Sequence, residues 1–470
     1  MLLKLNELYF SPKKNIFTLI LFLLLIALQL KGQETKWQNL LQNNNLNDFV
    51  RLNGKADFTL KDGILIGTSK LNTPNSFLAT KTKYSNFILE FDVLVDYNLN
   101  SGVQFRSESL KSYMNGRVHG YQCEIETSTR RWAGGIYDEA RRGWLYPLSR
   151  NKEGQGAFIN GRWNKYRIEA IDNSIKTFVN GVETSNLFDD MTQKGFIAFQ
   201  VHGISDTEQE GKQVRWKNIR ILTSDLEKNR MIASNKAPCI SYLDGELTQD
   251  EKRLGFRMLW DGKTTKGWRG AKRKNFPEKG WIIKDGILTV EATDGKESTN
   301  GGDIVTKESF RNFELSVDFL LSPGANSGIK YLVKSNLNKG EGSAIGLEFQ
   351  ILDDEKHPDY KLGKNGNRSV GSLYDLIRAE NKDTGARGKN FKGVGKWNNA
   401  RILVNGGKVE HWLNHVKVVE FDRFSQTFEA LVEKSKYEKW EQFGRWPQGV
   451  ILLQEHGDQV SFKNIKVREF

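Results

Sequence analysis

The sequence predicts an all-β protein made of two tandem β-sandwiches of the jelly-roll type. Three observations lead to this prediction. A series of short motifs occurs twice in the same order along the 470 residues. The apolar runs are short and often alternate with polar residues, which is typical of half-buried strands. The chain has 44 glycines but only 8 prolines, a balance that suits many antiparallel strands joined by tight turns.

The repeated motifs define the two copies. Each first-half motif has a second-half partner: Lys61-Asp62-Gly63 with Lys284-Asp285-Gly286, Asn100-Ser101-Gly102 with Asn326-Ser327-Gly328, Trp163-Asn164 with Trp397-Asn398, and Lys217-Asn218-Ile219 with Lys463-Asn464-Ile465. The offset between partners ranges from 223 (Asp62 to Asp285) to 254 (Gln200 to Gln454), so the copies differ by insertions. A period this long indicates a duplicated domain, because solenoid repeats are far shorter.

Strand signals dominate both copies. The segments Phe87–Val95 and Phe313–Leu321 are aromatic and β-branched, and polar residues alternate with apolar ones in the second. Asn180-Gly181 predicts a type I′ hairpin turn. Further strands are predicted at 166–171, 175–179, 196–201, 214–222, 401–404, 409–413, 450–454 and 460–467.

The chain divides into four segments. Residues 1–32 are predicted to be a signal peptide, because lysines precede the apolar run 16–28, which is short for a membrane span. We therefore expect export to the periplasm or beyond, with membrane contact only through this signal; a retained anchor is the alternative. The first sandwich is predicted at 37–224, a polar, partly helical linker at 225–254, and the second sandwich at 255–470.

Composition excludes several classes of function. The formal charge is +13, but the basic residues are scattered and form no nucleic-acid-binding motif, so we expect no nucleic acid. Two cysteines, Cys123 and Cys239, make no disulfide framework and no metal motif. No metal or other cofactor is predicted, although the sequence leaves a divalent cation open, and it does not give the oligomeric state.

One predicted strand in each copy carries acidic and amide residues. Side chains alternate along a strand, so Gln122, Glu124 and Glu126 share one face at intervals of about 6.6 Å. The matching strand places Glu348 and Gln350 on the equivalent face. Such a face is often simply exposed to solvent. The recurrence of one glutamate beside one glutamine favours a functional face.

A glutamine and a histidine also recur together. Gln200 and His202 are two positions apart, as are Gln454 and His456, so each pair shares a face of an extended segment. Imidazole is the usual proton-transfer group near pH 7. The alternative is a histidine that satisfies a buried polar group at the rim of the sandwich.

Aromatic and cationic residues suggest a sugar-binding surface. Tyr137, Arg142 and Trp144 lie in one loop, and aromatic faces pack against the C–H surfaces of pyranose rings. Tyr374 is the counterpart of Tyr137 in the second copy. Arg106 ends the strand after Asn100-Ser101-Gly102 and is predicted to anchor sugar oxygens.

Taken together, these motifs resemble the 3-keto-disaccharide hydrolase domain family. The resemblance covers residues 57–222 and 259–469 and rests on the Asn-Ser-Gly strands, the Glu/Gln strands, the Trp-Asn pairs and the Gln-x-His motifs. It implies a concanavalin-like jelly roll and a hydrolase. The implied substrates are oligosaccharides or glycosides whose C3 hydroxyl has been oxidised to a ketone.

The resemblance also implies roles for the residues. A C3 ketone acidifies the C2 proton, so a base can remove it and the aglycone can leave from C1 by elimination, before water adds. His202 with Glu124, and His456 with Glu348, are the expected base and acid of the two copies. The expected substrate-binding residues are Arg106, Gln122, Gln200, Tyr137, Arg142, Trp144, Gln350, Tyr374 and Gln454. The first copy is the expected enzyme, since the second lacks Arg106 and the 141–144 loop.

Two other functions fit the same residues. A conventional glycosidase could use Glu124 and Glu126, whose spacing suits a carboxylate pair. The second copy has Gln350 and Leu352 at those positions, and the absence of a second carboxylate there disfavours a glycosidase. A non-catalytic tandem lectin would gain avidity from the duplication.

Overall fold

The structure is a computed structural model. It describes residues 37–232, 237–293, 296–337, 344–382 and 388–470. The predicted signal peptide, residues 1–32, lies outside these ranges, so export remains a prediction. Within them, no helix is long and apolar enough to cross a bilayer.

The first half is built almost entirely of strands. Their bounds are β1 (Gln38–Asn39), β2 (Phe49–Asn53), β3 (Asp57–Lys61), β4 (Ile64–Thr68), β5 (Ser76–Thr80), β6 (Phe87–Val95), β7 (Asn100–Glu108), β8 (His119–Glu126), β9 (Ile136–Glu139), β10 (Gly143–Tyr146), β11 (Asn164–Ile171), β12 (Ser174–Val179), β13 (Val182–Phe188), β14 (Phe196–Val201) and β15 (Gln213–Leu222). β16 (Cys239–Ser241) follows in the connecting segment.

The second half repeats this composition. Its strands are β17 (Arg257–Met258), β18 (Trp268–Gly270), β19 (Trp281–Lys284), β20 (Ile287–Val290), β21 (Ile304–Thr306), β22 (Phe313–Leu321), β23 (Asn326–Lys334), β24 (Ile345–Leu352), β25 (Asn398–Asn405), β26 (Lys408–Leu413), β27 (Val416–Asp422), β28 (Val450–Leu453) and β29 (Val460–Glu469). The α-helices of the described chain are short: α1 (Lys152–Gln155), α2 (Leu226–Asn229), α3 (Gln249–Arg253), α4 (Asp359–Leu362) and α5 (Gln426–Glu433).

The strand order proves the duplication at the level of topology. One sheet of the first half runs β13-β12-β11-β6-β15-β4-β3, and its counterpart runs β27-β26-β25-β22-β29-β20-β19. The facing sheets share the order β8-β7-β14-β5 and β24-β23-β28-β21. The prediction of two tandem all-β sandwiches is therefore confirmed, and two predicted strands, now β6 and β22, have the predicted bounds.

Aromatic side chains fill the space between the sheets. Phe199 on β14 packs edge-on against Trp216 of β15 and Phe91 of β6, with centroid separations of 5.5 and 6.4 Å. Phe319 of β22 and Phe349 of β24 make the equivalent contact in the second half. All five are almost fully buried, and each such side chain contributes about 1.5–3 kcal/mol.

The predicted hairpin turn is confirmed. Asn180 and Gly181 between β12 and β13 both have positive φ, 49° and 84°, as a type I′ turn requires. In the second copy Asn414 and His415 occupy the turn with φ of 46° and 67°. Trp163 and Trp397 of the repeated Trp-Asn pairs are half-buried, and each lies beneath a lysine, Lys217 and Lys463 respectively.

The segment predicted as a linker joins the two halves closely. It contains α2 and α3, in agreement with the predicted partial helicity. It also contains β16, which pairs with β13 as a parallel strand. Thr248 and Glu251 form a capping box at the start of α3. Glu251 then pairs with Lys466 of β29 at 3.0 Å, so the segment contacts both sandwiches. Cys123 and Cys239 are free thiols.

Candidate active site

Each sandwich carries a cleft on the same sheet. The first cleft encloses about 700 Å³ and is lined by side chains of β8, β14 and the β9–β10 hairpin. The second encloses about 320 Å³ and is lined by β23, β24 and the segment after β28. Both volumes fall in the range of small-molecule sites.

Glu124 lies on the floor of the first cleft. Its side chain is buried, and its two carboxyl oxygens accept hydrogen bonds from Asn100 (2.6 Å) and Gln122 (3.0 Å). Burial, together with repulsion from the neighbouring Glu126, raises the pKa of Glu124 to about 7, although both hydrogen bonds oppose the shift. Glu124 can therefore hold or release a proton near neutral pH.

A chain of amide groups continues the floor. Gln122 Oε1 accepts hydrogen bonds from Gln104 (2.8 Å) and Gln200 (2.9 Å). The Oε1 atom of Gln200 is buried and has no hydrogen-bond partner within the described chain. Buried polar atoms are normally paired, so this oxygen is placed to accept a hydrogen bond from a ligand hydroxyl.

His202 stands at the edge of the same cleft, directly after β14. Its Nδ1 lies 2.7 Å from the carbonyl oxygen of Gly203, so Nδ1 carries the proton and donates it. The Nε2 lone pair of the neutral ring is then available to accept a proton. Desolvation lowers the pKa of His202 below its usual value, which keeps the ring neutral at pH 7.

Aromatic rings form one wall of the cleft. Trp144 packs edge-on against Tyr137 (5.3 Å between centroids) and Trp132 (4.8 Å). The Arg130 guanidinium lies 4.8 Å from the Trp132 ring and 4.7 Å from the Trp144 ring. The Trp132 indole N–H is buried without a hydrogen-bond acceptor among the described residues. It is a donor that a ligand oxygen would satisfy.

Glu126 is already occupied by protein groups. Arg130 binds it through Nε at 3.2 Å and through a second nitrogen, and the backbone N–H of Trp132 also donates to it. A carboxylate held in this way positions Arg130 rather than reacting itself.

The second cleft has a related floor. The ladder register pairs Gln104 with Gln122 in one copy and Lys330 with Glu348 in the other, so Glu348 takes the place of Gln122. Glu348 is buried, and burial raises the pKa of its carboxyl group. The Lys330 ammonium lies 3.9 Å from Glu348, and its positive charge lowers the pKa of Glu348, against the effect of burial.

The other predicted residues of the second copy also line this cleft. Gln350 and Gln454 each have a buried Oε1 without a partner among the residues that the structure describes. Gln454 thus repeats the arrangement of Gln200. Tyr374 lines the cleft and donates its hydroxyl to Asp359 at 2.9 Å, while the Lys436 ammonium lies 4.3 Å from its ring centre.

The prediction for Arg106 was wrong. Its side chain is buried outside the cleft and donates to the backbone oxygens of Ser85 and Asp172, both at 2.7 Å, and to Asn86. The cause is a bulge at the end of β7, where Arg106 has a φ of 44° and the pairing register shifts. Strand alternation fails at a bulge, so the guanidinium turns away from the substrate face.

Arg142 also lies outside the first cleft. It forms ion pairs with Asp138 and Asp189, and its guanidinium lies 5.7 Å from the ring centre of Tyr242 in the connecting segment. Its neighbours Tyr137 and Trp144 do line the cleft. Some side chains of the β9–β10 hairpin therefore line the cleft, whereas Arg142 lies at the contact with the connecting segment.

Sequence reasoning missed several residues of the clefts. Asn100 belongs to a repeated motif, and that recurrence was the available signal for it. Arg130 and Trp132 lie in a loop with no recognisable counterpart, so no pattern indicated them. Asn381 and Asn390 of the second half also line the first cleft, a contact that only the packing of the two halves creates.

The glycine of each Asn-Ser-Gly motif makes room for the cleft floor. A Cβ atom on Gly102 would lie 2.4 Å from Gln122 Cδ, and one on Gly328 would lie 2.1 Å from Glu348 Oε1. Flexible side-chain ends can yield, so we expect Gly102→Ala to fold but to displace Gln122. Overpacking costs about 1–3 kcal/mol, and a misplaced cleft group costs about 10²-fold in rate.

Measurement of kcat and Tm on the same samples checks this expectation. A Tm within a few degrees of the parent with a strongly reduced kcat supports it, and an unchanged kcat contradicts it. Gly328→Ala displaces Glu348 instead, so the pair of variants reports on the two clefts separately.

The fold and the clefts define a protein of two β-sandwiches with a small-molecule-sized cleft in each, and comparisons identify its family. The family model of the 3-keto-alpha-glucoside-1,2-lyase-like domain matches residues 36–222 and 255–468. A 3-keto-disaccharide hydrolase from Bacteroides thetaiotaomicron is 36% identical over 238 residues, covering 46% of this chain and 78% of the relative. The chain belongs to the 3-keto-alpha-glucoside-1,2-lyase-like domain family, and both matches support a carbohydrate hydrolase.

Solved structures give further similarities. A Parabacteroides distasonis protein described as a candidate glycosyl hydrolase is 30% identical, with a TM-score of 0.41, covering 48% of this chain and all of that one. A second protein from that organism with the same description is 27% identical, with a TM-score of 0.31, covering 43% of this chain and 99% of that one.

Proposed function

We propose that the protein cleaves the glycosidic bond of disaccharides or other glycosides that carry a ketone at C3. The observation that carries the proposal is Glu124, a buried carboxyl group with a pKa of about 7 on the floor of a sugar-sized cleft. His202 lines the same cleft. β8 and β14 flank β7, so their axes are about 10 Å apart and leave room for a pyranose ring.

The proposed reaction is elimination followed by hydration. The C3 ketone acidifies the C2–H bond, and Nε2 of His202 takes that proton while the electrons move onto the ketone oxygen as an enolate. The enolate then re-forms the ketone, a C1–C2 double bond appears and the C1–O bond breaks. Glu124 gives its proton to the departing oxygen. Water finally adds its hydroxyl to C1 and a proton to C2.

The enolate oxygen needs a hydrogen-bond donor. The Arg106 guanidinium is bonded to Ser85 and Asp172 outside the cleft, and Gln122 already donates to Glu124. The Trp132 indole N–H has no other acceptor within the described chain and lines the cleft, so we assign it this role. Donors of this kind contribute about 10²–10³ in rate. Gln200 Oε1 would accept a sugar hydroxyl, and Trp144 and Tyr137 would pack against the ring.

In the second cleft the residues expected from the sequence are Glu348 and His456, but Glu348 takes the place of Gln122 and not of Glu124. The substitutions His202→Ala and His456→Ala, made separately in the full chain and assayed on a 3-keto-disaccharide, assign the activity to a cleft. We expect the first variant to lose it. Full activity in both variants contradicts the scheme.

A conventional glycosidase is the second candidate. Glu124 and Glu126 are adjacent carboxyl groups in different environments, one with a raised pKa and the other in an ion pair with Arg130, as acid and nucleophile often are. The hydrogen bonds that already hold Glu126 disfavour it as a nucleophile.

A product assay with oxidised and unoxidised forms of one disaccharide separates the candidates. Our proposal expects monosaccharide release from the 3-keto form and none from the unoxidised form. Equal cleavage of both forms would establish the glycosidase instead. Saturable binding of either form without any product would leave a tandem glycan-binding protein and overturn the proposal.

A further inference from the structure

We propose that the second sandwich binds a divalent transition-metal ion through His357, His456 and Asp458. This inference is independent of the proposed reaction, because it concerns only the binding of a metal ion by side chains. The sequence indicated no metal motif, since His357 lies in a loop after β24 and the other two residues follow β28. Folding brings them together.

The three residues have the spacing of a metal site. Each offers one ligand atom, and these atoms all lie within 4.8 Å of one another. The imidazole rings of His357 and His456 have centroids 6.0 Å apart and are inclined at 81°. Metal–ligand bonds of about 2.1 Å place neighbouring ligand atoms about 3–4 Å apart, so small side-chain movements complete the site.

Hydrogen bonding explains only part of the arrangement, since Nε2 of His456 lies 3.4 Å from the side-chain nitrogen of Asn326 but, within the described chain, its Nδ1 has no such contact. Nδ1 of His456 is buried and has no hydrogen-bond partner among the described residues. It lies 3.9 Å from Oδ2 of Asp458, which is too long for a hydrogen bond but suitable for two ligands of one ion. Buried polar atoms are normally paired, so this imidazole nitrogen is placed to bind a ligand.

A neighbouring backbone group holds the carboxylate ligand in place. The backbone N–H of Asn326 donates to Oδ2 of Asp458 at 3.0 Å, and hydrogen bonds to ligating carboxylates orient them in metal sites. The backbone N–H of Asp359 donates to Nδ1 of His357 at 3.2 Å. Metal binding would replace this hydrogen bond, because a neutral imidazole has one lone pair for either the metal or the N–H.

The donor set defines the class of metal. Two imidazoles and one carboxylate are typical of zinc and of iron and other first-row transition metals, whereas magnesium and calcium prefer oxygen ligands alone. Three protein ligands leave at least one coordination position open. His456 lines the second cleft together with Gln350 and Gln454, so an open position would face the bound ligand of that cleft.

The first sandwich cannot form the equivalent site. His202 corresponds to His456, but Ile204 stands where the second copy has Asp458. The equivalent histidines of the two clefts would therefore have different roles. His202 keeps a free lone pair for proton transfer, whereas a metal-bound His456 has none at the coordinated nitrogen. His202 also supplies a matched control.

Titration of the full chain with Zn²⁺ after native dialysis against a chelator tests the proposal. Isothermal calorimetry should give one Zn²⁺ per chain, and Co²⁺ should give a visible absorption band from nitrogen and oxygen ligands. We expect His357→Ala to weaken Zn²⁺ binding by at least about 100-fold, because even loss of an outer partner costs 10–100-fold. Asp458→Asn should weaken it as well, while His202→Ala should leave it unchanged.

Thermal unfolding without metal shows whether each variant is folded. Zn²⁺ should then raise the Tm of the parent and of His202→Ala but not that of His357→Ala. Absence of saturable Zn²⁺ binding in the parent, or equal affinity in the parent and a folded His357→Ala variant, would overturn the proposal. Neither measurement uses substrate, so failure of the proposed reaction leaves this test intact.

Discussion

Replacing Glu124 by glutamine is expected to lower kcat for 3-keto-disaccharide cleavage by about 10²–10⁴-fold, the usual contribution of a general acid. Glutamine keeps the size of the side chain and can still accept the hydrogen bond from Asn100, but it has no proton to give to the leaving oxygen. Steady-state kinetics on the purified full chain measure the loss.

The pH dependence of the parent enzyme should identify the same group. The raised pKa of Glu124, about 7, means that the proton donor is present below pH 7 and is lost above it. The lowered pKa of His202 means that its neutral form is lost only below its usual pKa of about 6.5. We therefore expect a bell-shaped kcat/KM profile whose alkaline limb disappears in Glu124→Gln.

Glu169 provides the control for this substitution. It is equally buried but lies on β11 in an ion pair with Arg167, outside both clefts. Glu169→Gln should change stability and leave the alkaline limb in place. A Glu124→Gln enzyme that keeps parental kcat and the same pH profile would remove Glu124 from the mechanism.

The second large effect is expected for stability and concerns Glu314. This residue of β22 is buried in the contact between the halves and binds Arg401, Arg468 (2.6 Å) and, from the first half, Arg150 (3.4 Å). Burial alone would raise the pKa of Glu314, but the guanidinium groups outweigh it and hold the pKa at about 2. The carboxylate neutralises a cluster of three arginines, of which Arg401 is buried and Arg150 and Arg468 are partly exposed.

Glu314→Gln should therefore lower the free energy of unfolding by about 3–5 kcal/mol, the usual effect of breaking a buried ion pair from one side. Because the folded pKa is depressed, this stabilisation is present above the unfolded pKa of about 4.5 and is lost as pH falls towards about 2. Denaturant unfolding at pH 7 and at pH 3 measures both effects.

Glu308 is the matched surface residue. It pairs with Arg257 at 2.8 Å, but the two side chains are 48% and 44% exposed. Glu308→Gln should cost less than about 1 kcal/mol, as exposed pairs do. Equal losses for the two substitutions would show that the cluster around Glu314 adds nothing to stability.

Much of the fold could be predicted because it depends on local pattern. Alternation and β-branched composition located β6 and β22 with their observed bounds, and Asn180-Gly181 located a hairpin. Repetition of the motifs anticipated two sandwiches with the same strand order. Local pattern did not reveal that β16 extends the first sheet, because a three-residue strand has no periodicity of its own.

The site was predictable only where side-chain direction follows from strand alternation. Gln122 and Glu124 lie on one face of β8 as expected, and Gln200 on β14 lies beside them. The prediction for Arg106 failed because a positive φ changes the direction of its side chain. A bulge at an arginine cannot be predicted from the sequence pattern. His357 and Arg130 lie on loops, whose paths depend on the packing of the whole sandwich.

The proposed reaction is tested most directly by solvent deuterium. Turnover of a 3-keto-disaccharide in D₂O should place one deuterium at C2 of the released 3-keto sugar, since elimination removes the C2 proton and hydration replaces it from solvent. The same sugar incubated with His202→Ala, which lacks the proposed base, for the same time corrects for spontaneous exchange. Product that retains its original C2 hydrogen through enzymatic cleavage would contradict elimination and point to direct displacement at C1.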